Sequence, residues 1–233
     1  MTLTLSGELL PDEWAEIYRY FGYDTGYFCP ADIRGALKDL PEGEELVLEI
    51  NSVGGSVDGA AEIYSLIQGC KNPTRAVIQS LAASAASYMI LSCDRIEISR
   101  PAQMMIHLAS MGVGGNKHDH QHASAALDAC DRSILGCYAA RCGEKCSAEE
   151  LEAMMEAETY LTAEDAVRIG LADAIVGDGG EAAPEGPEML AASVAGNVVR
   201  AMRTLPDVRE LMARRDAEAD RDRLELERNR YLR

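Results

Sequence analysis

A chain of 233 residues, 47% of them hydrophobic, has the length for one sizeable core and an appendage. Its formal charge of -17 leaves no basic face for phosphate-rich partners, which argues against a nucleic-acid or anionic-membrane surface. No stretch approaches the roughly 20 apolar residues of a membrane span, and the N-terminus lacks a basic region followed by a long apolar run, so a cytoplasmic protein is expected.

Along the chain, Thr2 to Leu9 alternates apolar and polar residues as a strand does, with Gly7-Glu8 placed to end or bulge it. Trp14 to Phe28 is a mixed region crowded with Tyr18, Tyr20, Tyr23 and Tyr27. Ala31 to Leu40 reads as a helix with Ile33, Leu37 and Leu40 on one face, and Glu45 to Asn51 as a strand. After it stand Ser52-Val53-Gly54-Gly55-Ser56-Val57 and a helical stretch from Asp58 to Gly69. A strand from Arg75 to Gln79 leads into the small-residue run Leu81 to Ser87, and Arg95 to Ile98 and Gln103 to Leu108 read as further strands about a turn at Pro101.

Apolar residues at helical spacing (Ala126, Cys130, Ile134, Cys137, Tyr138) predict one long helix from Lys117 to Arg141. Ser147 with Glu150 makes a capping box that opens another, and Leu161 to Ala166 opens a third that ends at Gly170. Ala172 to Val176 returns as a short strand. The order of strands and helices is that of an α/β domain over residues 1–176. Residues 177–188, rich in Gly, Pro and acid, have linker composition, and residues 189–233 read as a helical extension, Leu190 to Leu205 and Val208 to Leu232, solvated or partner-binding. From residue 200 onward ten Arg face eight Asp or Glu, so a slightly basic tail follows a strongly acidic body.

The chemistry-bearing residues gain meaning from their company. A diglycine at a strand end usually marks a tight turn, and a serine among alanines or a histidine in an apolar strand usually belongs to packing. Here Gly54-Gly55, Ser84 and His107 follow one another, and peptide hydrolysis needs such parts: an activated hydroxyl, a base and amides awaiting an oxyanion. His118, His120 and His122 alternate at a helix start and read as a solvated face. The seven cysteines, an odd count, read as reduced packing thiols. Cys137, Cys142 and Cys146 lack the fourth ligand and the C-x-x-C pair of a zinc site, so neither metal nor cofactor is expected. Lys71 and Lys117 lie outside apolar segments, which disfavours a serine/lysine mechanism.

Asn51 to Val57, Ala82-Ala83-Ser84-Ala85, Met105-Ile106-His107 and Glu164 to Asp173 resemble, in order and spacing, the signature segments of Clp protease proteolytic subunits. The resemblance covers residues 45 to 176 well and the N-terminal segment loosely. It implies a crotonase-like fold of repeated β-β-α turns, with Ser84 as nucleophile and His107 as general base. It also implies oxyanion donors at the backbone N–H groups of Gly55 and Ala85, and a peptide held as an added strand near Gly54, Ser56 and Val57. Homo-oligomeric rings stacked through the long helix, and an AAA+ unfoldase as an open question, are further implications.

The sequence departs from the family pattern in several places. Glu158 stands where those subunits carry the triad aspartate, and Glu156 is an alternative; Val53 replaces a common proline. The Ala82 to Ser87 run, Glu158-Thr159-Tyr160 and the tail look more like the Clp-related head-maturation proteases of tailed phages and prophages, whose expected substrates are capsid or scaffold proteins. Ser87 reads as a packing residue. A catalytically silent ring-forming scaffold and a crotonase-type acyl-CoA enzyme are the competing readings.

Overall fold

The computed structural model describes residues 1–178, 207 and 209–217. Its organising feature is a mainly parallel sheet in the spatial order β2-β1-β3-β4-β5-β8, built from β1 (Thr2–Leu9), β2 (Tyr27–Phe28), β3 (Leu46–Gly55), β4 (Thr74–Ala83), β5 (Arg95–Ile98) and β8 (Ala174–Ile175). Parallel neighbours need crossovers, and helices α1 (Asp12–Tyr20), α2 (Pro30–Asp39) and α3 (Val57–Gln68) supply them between the early strands. The α/β class expected from the sequence is the one found.

Period-two burial makes β3 a core strand, with Leu46, Leu48 and Ile50 at 0% exposure while the residues between them face outward. Ala60, Ile63 and Ile67 of α3 pack onto the same core, as does Ile33 of α2. β1 bulges at Gly7/Glu8, as the Gly-Glu pair predicts.

β4 sets the site by changing partner along its length. Its first half, Arg75 to Ile78, pairs with β5, and its second half, Leu81 to Ala83, pairs with β6 (Gln103–Ile106). β6 in turn carries β7 (Thr159–Leu161), the antiparallel neighbour in the sheet. The remaining elements are α4 (Ala85–Met89), α5 (Lys117–Cys142), a 3₁₀ turn at Gly143–Lys145, α6 (Ala148–Glu156) and α7 (Ala163–Ile169).

Several sequence expectations change. Asp12–Tyr20, whose residues from Trp14 onward read as a mixed region, is a helix begun after Pro11, with Asp12 and Glu13 in its first turn and Arg19 in its last. β3 and β4 run on to Gly55 and Ala83, past the Asn51 and Gln79 limits expected from hydrophobicity, because backbone pairing to neighbours continues where apolar patterning stops. β6 ends at Ile106, so His107 lies just beyond a strand and not within it. The apolar row of α5 is buried only in its last third, at Ile134, Tyr138 and Cys142; Ala126 is exposed.

The cysteines are free thiols, Cys29, Cys93, Cys142 and Cys146 among them buried. No helix among the described residues is long and apolar enough to cross a membrane. The expected linker and the helix Leu190 to Leu205 fall almost wholly outside the described residues. Of the second tail helix, residues 209–217 are helical, and Leu211 is 1% exposed. It packs with Leu10, Ala15, Ile17, Tyr18 and Cys29 in a small second core on α1, so this turn is docked on its own chain.

Candidate active site

Two strand ends and one strand connection meet at the candidate site. Ser84 links β4 to α4, with φ 55° and ψ -129°, a conformation that L-residues rarely adopt. Its N–H donates to the Met105 carbonyl at 2.8 Å, which fastens the turn to β6. In the same parallel pairing Ala83 lies opposite Met105, and His107 follows two residues on. His107 Nε2 is 2.7 Å from Ser84 Oγ, a full hydrogen bond.

Glu158 reaches the imidazole from the other side. β7 runs antiparallel to β6 with Thr159 opposite Ile106, so continuing the register by one residue sets Glu158 opposite His107. Glu158 Oε1 is 3.8 Å from His107 Nδ1, and among the described residues it is the one carboxylate within 4.0 Å of the ring nitrogens. Glu156, the last residue of α6, is exposed and makes no such pair. Glu158 too has a positive φ, 51°, at the turn from α6 into β7.

The imidazole is substantially enclosed, its side chain 20% exposed. Burial pushes its pKa below the ordinary 6.5 because desolvation disfavours the cation, and the charges of Glu158 and Asp131 oppose that shift. Neutral imidazole is the form able to accept a proton from Ser84. Asp131, on α5, was not among the candidates read from the sequence; its Oδ1 accepts from Ala109 N–H at 2.7 Å and pins the chain just after His107. Only its place three residues before Ile134 and seven before Tyr138 hints that it faces inward.

The diglycine touches the same turn. A Cβ on Gly54, whose φ is 87°, would meet the Ala83 carbonyl oxygen at 2.6 Å, Ser84 Cβ at 2.8 Å and Ala85 N at 2.9 Å. Only glycine lets β3 pass so close to the serine and to the amide after it. A Cβ on Gly55 would meet the Leu9 carbonyl oxygen of β1 at 2.1 Å. Buried Ser52 braces the approach: its Oγ donates to the Gly7 carbonyl at 2.6 Å and accepts from Gly54 N–H at 3.1 Å.

The other expected binding residues have structural duties. Ser56 Oγ caps α3 by accepting from Gly59 N–H at 3.0 Å, and its N–H donates to the Leu9 carbonyl. The Val57 carbonyl accepts from the Tyr88 hydroxyl, and Val57 lines a cavity of roughly 420 Å³ between α3 and α5 with Tyr88, Cys130 and Ile134. Ser87 is more than packing: it is hydrogen-bonded to the Ser84 carbonyl and to Tyr138. Among the described residues no three His, Cys, Asp or Glu side chains converge as a metal site would need, and His118, His120 and His122 are exposed.

Residues 36–179 match the family described as Clp protease. The chain belongs to the Clp protease family. Its activity is therefore that of a serine peptidase, a hydrolase of peptide bonds. Among its relatives are the ATP-dependent Clp protease proteolytic subunits 1 of Chlamydia abortus, 30% identical over 138 residues, and of Chlamydia muridarum, 32% identical over 139 residues. Each alignment spans 58% of this chain and 71% of the relative, and the Chlamydia trachomatis subunit 1 matches to the same extent as the latter. The matched family segment begins within α2, beyond α1, and carries the diglycine, Ser84, His107 and Glu158.

Proposed function

We propose that Ser84 attacks the peptide carbonyl while His107 accepts its proton and then delivers it to the leaving amine. The observation that carries this is the 2.7 Å contact between His107 Nε2 and Ser84 Oγ, on an imidazole whose pKa burial lowers. Glu158 is the third member, acting on the developing imidazolium through its charge across 3.8 Å. The backbone N–H groups of Gly55 and Ala85 receive the oxyanion, and water then hydrolyses the acyl-Ser84 ester. The substrate strand lies along Gly54, with Ser56 and Val57 flanking it.

The substrate is a polypeptide, and the reading extends to a phage or prophage head-maturation role on capsid or scaffold protein. Its support is the chain's own features: the Ala82 to Ser87 run, the Glu158-Thr159-Tyr160 segment and the C-terminal tail. Homo-oligomeric rings joined through α5 fit the exposure of the first half of that helix, since Lys117 to Ala126 buries no side chain within the subunit. The support for an AAA+ unfoldase partner is that the relatives' names describe an ATP-dependent protease.

Fluorophosphonate labelling tests the core of this reading, with the adduct located by mass spectrometry in wild type, Ser84→Ala and His107→Ala. An adduct on Ser84 that both variants lose is the expected result. Folded, assembled wild type that takes up no probe would overturn it.

A further inference from the structure

Beneath the serine turn lies a buried polar chain that the proposed chemistry does not use. Tyr138 on α5 and Ser87 on α4 are both almost fully buried, and their hydroxyl oxygens are 2.5 Å apart. Ser87 Oγ is also 2.6 Å from the Ser84 carbonyl oxygen. A carbonyl can only accept, so the single Ser87 proton goes to Ser84, and Tyr138 must donate to Ser87. Burial raises the pKa of the Tyr138 phenol and keeps that proton in place. The Ser84 carbonyl accepts a second hydrogen bond from Ser87 N–H at 2.9 Å, so both of its lone pairs are engaged.

A trans peptide is one rigid plane in which C=O and the following N–H point in opposite directions. Holding the Ser84 carbonyl therefore aims the Ala85 N–H. The backbone does not favour this aim by itself, because Ser84 occupies a strained φ/ψ region that survives only when surroundings enforce it. We infer that Tyr138 and Ser87 are positioning residues that lock the Ser84–Ala85 peptide plane so that the Ala85 amide faces the oxyanion. This rests on Ser84 being the nucleophile and Ala85 N–H an oxyanion donor. It also ties the turn to α5, since Tyr138 loses its bond to Ser87 if that helix shifts.

Stability and catalysis separate in the test. Replacing both partners of a buried hydrogen bond by apolar groups of like shape is close to neutral for folding. The double variant Tyr138→Phe/Ser87→Ala should thus melt near the wild-type temperature while its chemistry slows. Peptide hydrolysis by the assembled protein is expected to lose about 10-fold in kcat with KM unchanged, a fraction of the roughly 100- to 1,000-fold that deleting an oxyanion donor costs. Affinity for a peptide boronate, whose tetrahedral adduct puts an oxygen in the oxyanion site, should fall by the same factor. Ser87→Ala should match the double, and Tyr138→Phe, which keeps the Ser87 donor but not its anchor, should lose less. A double variant that folds like wild type and keeps kcat and boronate affinity within about twofold overturns the inference while leaving Ser84 as nucleophile; wild type that neither hydrolyses peptide nor takes a fluorophosphonate on Ser84 overturns the underlying reading instead.

Discussion

His107 and Glu158 face one another across the β6–β7 pair, yet the nearest imidazole nitrogen and carboxylate oxygen are 3.8 Å apart, too far for a hydrogen bond. The Glu158 side chain is 45% exposed, so water screens its charge. What it offers the ring is an electrostatic bias more than a fixed tautomer.

That geometry predicts a mild acid variant. Glu158→Gln should lower kcat by about 10- to 100-fold, well short of the roughly 10,000-fold seen where a buried aspartate hydrogen-bonds the histidine. Glu156→Gln, on an exposed helix end, should leave kcat unchanged. Steady-state hydrolysis of a fluorogenic peptide by both variants checks this, and a Glu156 variant that is the slower of the two would reverse the assignment.

The pH profile follows from the burial of His107. With His107 as the proposed base, activity needs the neutral ring, whose pKa is depressed below 6.5 by desolvation, so the acidic limb of kcat/KM should fall below that value. Glu158 and Asp131 both pull the pKa upward, so Glu158→Gln or Asp131→Asn should move the limb to still lower pH. Stability carries the matching sign. Between the folded pKa and 6.5 the unfolded chain binds more protons, so this group's contribution is complete above 6.5 and is lost as pH falls through the folded value. Rate profiles and thermal melts across pH 4.5 to 7.5 report both, and a limb that moves upward in either variant contradicts the account.

The strand at β3, the capping box of α6, the opening of α7 and the ordered segments around Gly54, Ser84 and His107 were all legible in the sequence, because each is a local pattern with a local cause. α1 had a readable start in Pro11-Asp12-Glu13, hidden by the aromatic crowding that follows. Glu158, placed ahead of Glu156 by resemblance, faces His107 through the register between β6 and β7, which no local pattern encodes. Ser87 and Tyr138 meet across 51 residues of chain only because α4 and α5 pack together. A positive φ at Ser84 and Glu158 leaves no trace in residue type, since the usual marker, glycine, is absent.

Gly54→Ala should remove activity and melt lower than a variant that bears backbone strain alone, because its new carbon meets backbone atoms as well as a positive φ. The new methyl would strike the Ala83 carbonyl, Ser84 Cβ and Ala85 N, displacing the turn by an amount that costs roughly 100-fold or more in rate. Gly43→Ala is the control: its φ is 80° but nothing lies within 4 Å of the added carbon, so it bears the backbone penalty of about 1–2 kcal/mol alone. Gly43→Ala should melt slightly lower and keep full kcat. Equal rate losses in the two variants would mean that backbone strain, and not contact with the serine turn, explains the glycine.

Leu211 holds the described part of the tail to α1, its side chain 1% exposed among Leu10, Ala15, Ile17, Tyr18 and Cys29. Beside it the Arg214 guanidinium lies 5.0 Å from the Phe21 ring, a weaker cation–π contact at the edge of the same patch. Leu211→Ala should weaken the docking by about 2 kcal/mol, which corresponds to roughly 30-fold more of the undocked form. Trypsin reads that population directly at Arg209, Arg214 and Arg215, because cleavage follows the opened state when reclosing is fast. The variant should be nicked there proportionately faster, while the main core, which shares no buried residue with this patch, melts as before. Equal cleavage rates in wild type and variant would mean that residues 209–217 open without needing to withdraw Leu211 from α1.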